Sequence, residues 1–204
     1  MQDEMDIIRE VGSIAAAHGS MALSEILGKK INLLIPSVSM ISSSGISKKI
    51  GIKEAGIAII SRIFTGLKGE SVFILDEKNA FKLLGLSQAI GVDIQKSEVI
   101  TEIGMSTIKE IGSIVTGAYL GAISIMIKKV ILTLPPTLVS GTIDEMLNII
   151  IATSGADDYA LLIEAVFEEP QEKIKGCFYL VLSQKAASDI RESCKHMLSE
   201  LEKT

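Results

Sequence analysis

Tryptophan is absent from this 204-residue chain, and aromatic residues make up only 4% of it. Any core must therefore be aliphatic, built from Ile, Leu, Val, Ala and Met. Histidine and cysteine are equally scarce, with two of each. Neither Cys177 nor Cys194 sits in a Cys-x-x-Cys pair, and His18 and His196 are the only imidazoles. That set does not make a structural zinc site. It leaves either one disulfide or two free thiols, the second being the state expected in a cytosolic protein. No run of basic residues occurs and the formal charge is -5, which argues against a nucleic-acid partner held through its phosphates. The N-terminal Met-Gln-Asp-Glu-Met-Asp is acidic where a secretion signal needs positive charge. Ile111 to Ile127, one of the two longest uncharged stretches, is interrupted by Gly112, Ser113, Thr116, Gly117, Gly121 and Ser124. It is marginal as a membrane span and reads better as a buried core helix. These features predict a cytoplasmic protein without membrane insertion, and nothing in them calls for a metal or cofactor.

What is present is a folding composition, 48% hydrophobic against 22% charged. A chain of this length buries one substantial core, or two small ones that share a seam. Its organising feature is a repeat. Glu10-Val-Gly-Ser13-Ile14 returns one hundred residues later as Glu110-Ile-Gly-Ser113-Ile114. The same offset relates Ala22 to Ala122, Ser24 to Ser124, Lys29 to Lys129, Leu34 to Leu134 and Pro36 to Pro136 without a gap. Chance agreement accounts poorly for this. A single domain made of two related halves, about 1–95 and 96–204, accounts for it well.

In order along the chain, 3–28 has helical spacing, with Met5, Ile8, Val11, Gly12 and Ala15 apolar and Asp6, Arg9, Glu10 and Ser13 on the polar side. Gly28 is a stop signal. Ile31 to Ser42, with Pro36 inside it, predicts a bulged or edge strand. Ser42 to Ser47 reads as a loop. Ala55–Thr65 and Glu70–Leu75 read as strands joined by a turn of hairpin length. Asp76 is placed to cap a helix over Lys78–Leu84, and Gly85 to Gln95 leads into the second half. There a helix begins at Ser97 and Glu98 and runs to about Ile127, followed by a proline-broken strand, Val130 to Ser140. Thr142-Ile-Asp-Glu145 is a capping box ahead of Met146–Ile151. Tyr159–Phe167 and Gly176–Leu182 are strands, and Ala186–Leu201 is an amphipathic helix whose Asp189, Arg191, Glu192 and Lys195 face solvent. The methionines at 21, 40, 105, 126 and 146 read as core filler.

Residues three apart on a helix share a side, so Glu10 with Ser13, and Glu110 with Ser113, form two similar patches. A glycine inside a helix costs on the order of 1 kcal/mol against alanine. Gly12 and Gly112 therefore imply close approach of another backbone, from the partner helix or from a sheet. A solvated helix face would account for either glutamate alone, and a small exposed polar residue for either serine. His18 lies five residues beyond Ser13, about 140° round the helix, so a Ser-His nucleophile is not supported.

The Glu-x-Gly-Ser-Ile motif, the small-residue helix through Ala22-Leu-Ser24, Gly28-Lys-Lys, the Pro36 strand and the Leu134-Pro135-Pro136 run together resemble the CheC family of chemotaxis phosphatases. CheX and the middle domain of FliY are relatives of that family. The resemblance covers nearly the whole chain. It implies an α+β, pseudo-two-fold domain in which two long motif helices pack on a continuous, mostly antiparallel six-stranded sheet. It also implies removal of phosphate from the aspartyl phosphate of a CheY-like response regulator, and the deamidase CheD as a second candidate partner. The family motif is Glu-x-x-Asn. The glutamate docks on the regulator and the asparagine amide orients the attacking water. Glu10 and Glu110 match it; Ser13 and Ser113 stand where the family has asparagine. A serine hydroxyl falls one bond short of that amide, about 1.5 Å, and a misplacement of ~1 Å can cost about a hundredfold in rate. The resemblance thus implies either a weakened phosphatase or a non-catalytic adaptor for a regulator or CheD. A flagellar-switch-like structural module is a remoter alternative. Any Mg²⁺ would belong to the regulator.

Overall fold

The computed structural model describes residues 2–42, 55–86, 102–142, 145–146, 149–150 and 159–201. Bounded among the described residues are the helices α1 (Gln2–Leu27), α2 (Glu77–Leu86), α3 (Glu102–Ile127) and α4 (Gln184–Leu201), together with seven strands. These are β1 (Asn32–Ser42), β2 (Ala55–Thr65), β3 (Gly69–Asp76), β4 (Leu132–Thr133), β5 (Thr137–Thr142), β6 (Tyr159–Glu169) and β7 (Ile174–Ser183). The fold is α+β, with every described strand pair antiparallel.

The sheet runs β1-β6-β7-β3-β2, and β4 and β5 both pair with β2 along its outer side. Seven strand segments therefore fill six positions. The expected strand over Val130–Ser140 is two pieces, because Pro135 and Pro136 lack the N–H that a ladder needs. Between the pairs Ile63–Thr133 and Ile60–Thr137, three residues stand against two on β2. The opposite edge repeats the device. Between Leu34–Val166 and Ser37–Glu164, Ile35 and Pro36 stand against the single residue Ala165. Both sheet edges thus carry a one-residue bulge at a proline, which discourages pairing with another chain.

Strands from the N- and C-terminal parts of the chain are exchanged across the sheet. β1 lies on the hairpin β6–β7, and β5 lies on the hairpin β2–β3. Period-two alternation then sorts the side chains. Ile57, Ile59 and Ile63 of β2 face the helices with Leu161, Ile163, Ala165 and Phe167 of β6, and form the main core with α1 and α3. The other face carries a smaller cluster, with Ala58, Val72, Leu162 and Val181 beneath Met146 and Ile150.

Local chemistry sets the element ends. Asp76 Oδ1 accepts the amide of Asn79 at 2.7 Å, which caps α2. The capping box closes reciprocally: the Thr142 amide donates to Glu145 Oε2 at 3.0 Å and the Glu145 amide to Thr142 Oγ1 at 3.3 Å. The described residues that follow, 145–146 and 149–150, are helical. α2 continues through Gly85 to Leu86, beyond the expected end. The loop over Ser42–Ser47, the rest of the connection to Gln95 and the helix start at Ser97 and Glu98 lie outside the described residues, apart from Ser42, which closes β1. Both cysteines are free thiols, Cys194 buried and Cys177 partly so. Burial pushes both thiols above the ordinary range. α3 is the one described helix long and apolar enough to span a membrane, and 56% of its apolar window is buried inside the fold. Its apolar side is spent on the sheet and on α1.

Candidate functional site on the paired helices

α1 and α3 end in the same way. After Leu27, Gly28 takes φ +58° and the Lys29 amide returns to the Ser24 carbonyl at 3.3 Å. After Ile127, Lys128 takes φ +53° and the Lys129 amide returns to the Ser124 carbonyl at 3.1 Å. Both are left-handed C-terminal caps, one hundred residues apart. Each turn leads through a short link to a strand, β1 or β4. β1 opposes β6 and β4 opposes β2, and three antiparallel steps separate β6 from β2. The two helices therefore run in opposite directions across the same face.

The motif glycines mark where the helices press on the sheet. A Cβ on Gly12 would lie 3.0 Å from Ile163 Cγ2 of β6, and one on Gly112 would lie 3.0 Å from both Ile59 Cβ and Cγ1 of β2. The close approach expected at these glycines is real, but its partner is an isoleucine side chain of the sheet and not a backbone. Gly19 serves the other contact, where its Cβ would meet Val115 Cγ1 of α3 at 3.5 Å.

With the glycines turned inward, Glu10 and Glu110 are exposed and Ser13 and Ser113 are half-buried. The Ser13 hydroxyl donates to the Arg9 carbonyl at 2.9 Å. Its oxygen remains as an acceptor, able to orient a water by taking that water's hydrogen. Arg9 pairs with Asp6 at 2.8 Å; both side chains are exposed, so the pair adds little stability. Ile14 and Ile114 follow the serines and are 38% and 40% exposed. The structure brings each glutamate to the same helix face as its serine, as the spacing implied. It holds the two pairs apart. Glu10 stands nine residues before Gly19, and Glu110 five before Val115, on opposed axes, so about 21 Å of axial rise separates them. His18 is exposed on α1. The His196 side chain lies outside the described residues. Among the described residues, no cluster of His, Cys, Asp and Glu could hold a metal ion.

Two features were missed by sequence reasoning. Met21 is not core filler: it is 59% exposed on the solvent side of α1, and Met40 on the edge strand is 46% exposed. Met105 and Met126 do pack against the core, and Met146 is buried. The helix period places Met21 eleven residues, about three turns, beyond Glu10 and therefore on its face. The second feature lies under Gly12. Tyr119 of α3 is fully buried, stacked on Phe178 with ring centroids 4.3 Å apart. Its hydroxyl would stand 3.7 Å from a Cβ on Gly12. Its counterpart in the repeat is Gly19, and that pairing of the bulkiest helix residue with the smallest was a readable signal.

No protein-family model matches the chain. Among curated proteins it is similar to the CheY-P phosphatase CheC of Bacillus subtilis, 26% identical over 190 residues that cover 88% of each chain. The chain is similar in sequence to the CheC-type chemotaxis phosphatases over most of its length. Solved structures agree in fold. FliY of Thermotoga maritima superposes with a TM-score of 0.77 at 22% identity, over 96% of this chain and 98% of that one. A CheX–CheY–BeF3–Mg²⁺ complex from Borrelia burgdorferi gives 0.57 at 19% identity, over 88% of this chain and 99% of that one. Within this CheC-type scaffold, the exposed glutamates and the half-buried serines occupy the outward side of the paired helices.

Proposed function

We propose that the protein is a cytoplasmic chemotaxis signalling component that docks a phosphorylated CheY-like response regulator on α1 and α3. Glu10 and Glu110 make the docking contacts, and Ser13 and Ser113 stand where the attacking water must be held. The observation that carries this reading is the repetition of an exposed glutamate beside a half-buried serine, on two helices that a whole sheet holds in place. The CheC relative is named as acting on CheY-P, and the CheX structure is a complex with CheY; both support a regulator as partner. The symmetric strand order supports the reading of one domain made of two repeats. Hydrolysis is slow on this reading, because positioning supplies most of the catalysis in phosphoryl transfer and a serine oxygen falls short of an asparagine amide.

The same shortfall, present at both sites, favours a second reading: an adaptor that holds a regulator or CheD without turnover. Phosphate release from the phosphorylated cognate regulator separates the two. A phosphatase gives slow wild-type turnover that Glu10→Ala/Glu110→Ala abolishes and that Ser13→Asn/Ser113→Asn raises by up to about a hundredfold. An adaptor gives binding without wild-type release. A regulator that neither binds nor is hydrolysed removes the phosphatase reading and leaves CheD as the adaptor's one remaining partner.

A further inference from the structure

The two motif sites share one surface, and its size limits what it can hold. α1 and α3 are each 26 residues long, about 39 Å. Two helices at the usual interaxial distance present a strip about 20 Å wide. The whole outward face is thus on the order of 800 Å². A stable interface takes about 800 Å² from each partner, a patch of roughly 16 Å radius. Two such patches need centres about 32 Å apart, whereas Glu10 and Glu110 are separated by about 21 Å of axial rise.

The strip also has the character of one surface. Ile14 and Met21 on α1, and Ile114 and Ile125 on α3, are large apolar side chains left exposed, Ile125 by 78%. They lie among the exposed acids Glu10, Glu25 and Glu110, with Asp6 held by Arg9. Apolar patches rimmed by charge mark protein contacts, and the acidic rim repels anionic lipid and nucleic-acid backbones. A protein face carrying basic side chains around an apolar centre complements it.

We infer that α1 and α3 form one docking surface that accepts a single folded partner at a time, in either of two poses related by half a turn about the axis between the helices. One pose presents the partner to Glu10 and Ser13, the other to Glu110 and Ser113. The inference rests on the proposed reading that the partner is a CheY-like regulator, and it makes the two sites competitors.

The test is the stoichiometry of the complex with an excess of a CheY-like regulator activated as its BeF3–Mg²⁺ adduct, measured by calorimetry and by light scattering on the eluted complex. One regulator per chain is expected. Glu10→Ala and Glu110→Ala, each alone, keep that ratio and weaken binding by about twofold, since half of the poses are lost. The double variant loses the complex. Two regulators per chain would overturn the inference and leave the proposed function standing. Loss of all binding in one single variant would overturn the two poses. Failure of the intact chain to bind would remove the regulator reading itself.

Discussion

Tyr119→Phe is expected to make this protein more stable, the reverse of what removing a buried hydroxyl usually does. The tyrosine is fully buried against Phe178, and its hydroxyl has no hydrogen-bond partner among the described residues. Such an unsatisfied group costs about 1–3 kcal/mol in lost hydration. Deleting the oxygen leaves a void of roughly 15 Å³, worth about 0.4 kcal/mol against the variant. The net gain is about 0.6–2.6 kcal/mol, or roughly 1–10 °C in Tm for a domain of this size. The variant also changes the alkaline limb. Burial raises the folded-state pKa of Tyr119 above its ordinary value, and burial raises that of Tyr179 as well. Above about pH 10 the unfolded chain loses both protons while the folded chain keeps them. Each tyrosine's share is complete below pH 10 and falls by about 1.4 kcal/mol per pH unit as pH rises, on top of what the two buried thiols lose from lower pH. Phe at 119 removes one tyrosine's share of that slope and leaves the shares of Tyr179 and the thiols. Thermal and urea unfolding at pH 7 and across pH 9–11.5 measures both effects. A variant less stable than wild type at pH 7 would refute the reasoning, because it would mean that the hydroxyl is hydrogen-bonded in solution.

Three further substitutions test the helix placement by urea unfolding. At Gly112, an added methyl meets three atoms of Ile59, Cβ, Cγ1 and Cγ2, at 3.0–3.1 Å, whereas at Gly12 one close atom faces it, Ile163 Cγ2 at 3.0 Å, with the Tyr119 hydroxyl at 3.7 Å. Gly112→Ala should therefore lose about 1–2 kcal/mol, once overpacking is set against helix propensity, and Gly12→Ala should be within ~1 kcal/mol of neutral; equal effects would contradict the asymmetry. Lys128 holds a left-handed φ of +53° where its counterpart is Gly28, so Lys128→Gly should gain about 0.5–1 kcal/mol, and a loss would show that the lysine's contacts outweigh the strain.

Much of this architecture was readable because its signals are local. The Asp76 cap, the Thr142–Glu145 box, the Gly28 stop and the Pro36 bulge each depend on a few neighbouring residues. The matched glutamates and serines were readable for a different reason, since the repeat checked one copy against the other. What escaped depends on pairs distant in sequence. That the partner of Gly112 is Ile59 and that of Gly12 is Ile163 follows only from the sheet order. The exposure of Met21 was masked by its hydrophobicity, although its spacing from Glu10 placed it outward. The separation of the two sites required the antiparallel course of the helices, which no stretch of either helix encodes.

The exchange of strands across the sheet has a consequence in time. Ser37 must find Glu164, so β1 leaves the ribosome 127 residues ahead of the strand that receives it. At 5–20 residues per second, that is a wait of about 6–25 s. Neither half can close its share of the sheet until most of the other has been made. The Pro36 bulge then guards an edge that waits longest for its partner, and the two motif patches come into existence together.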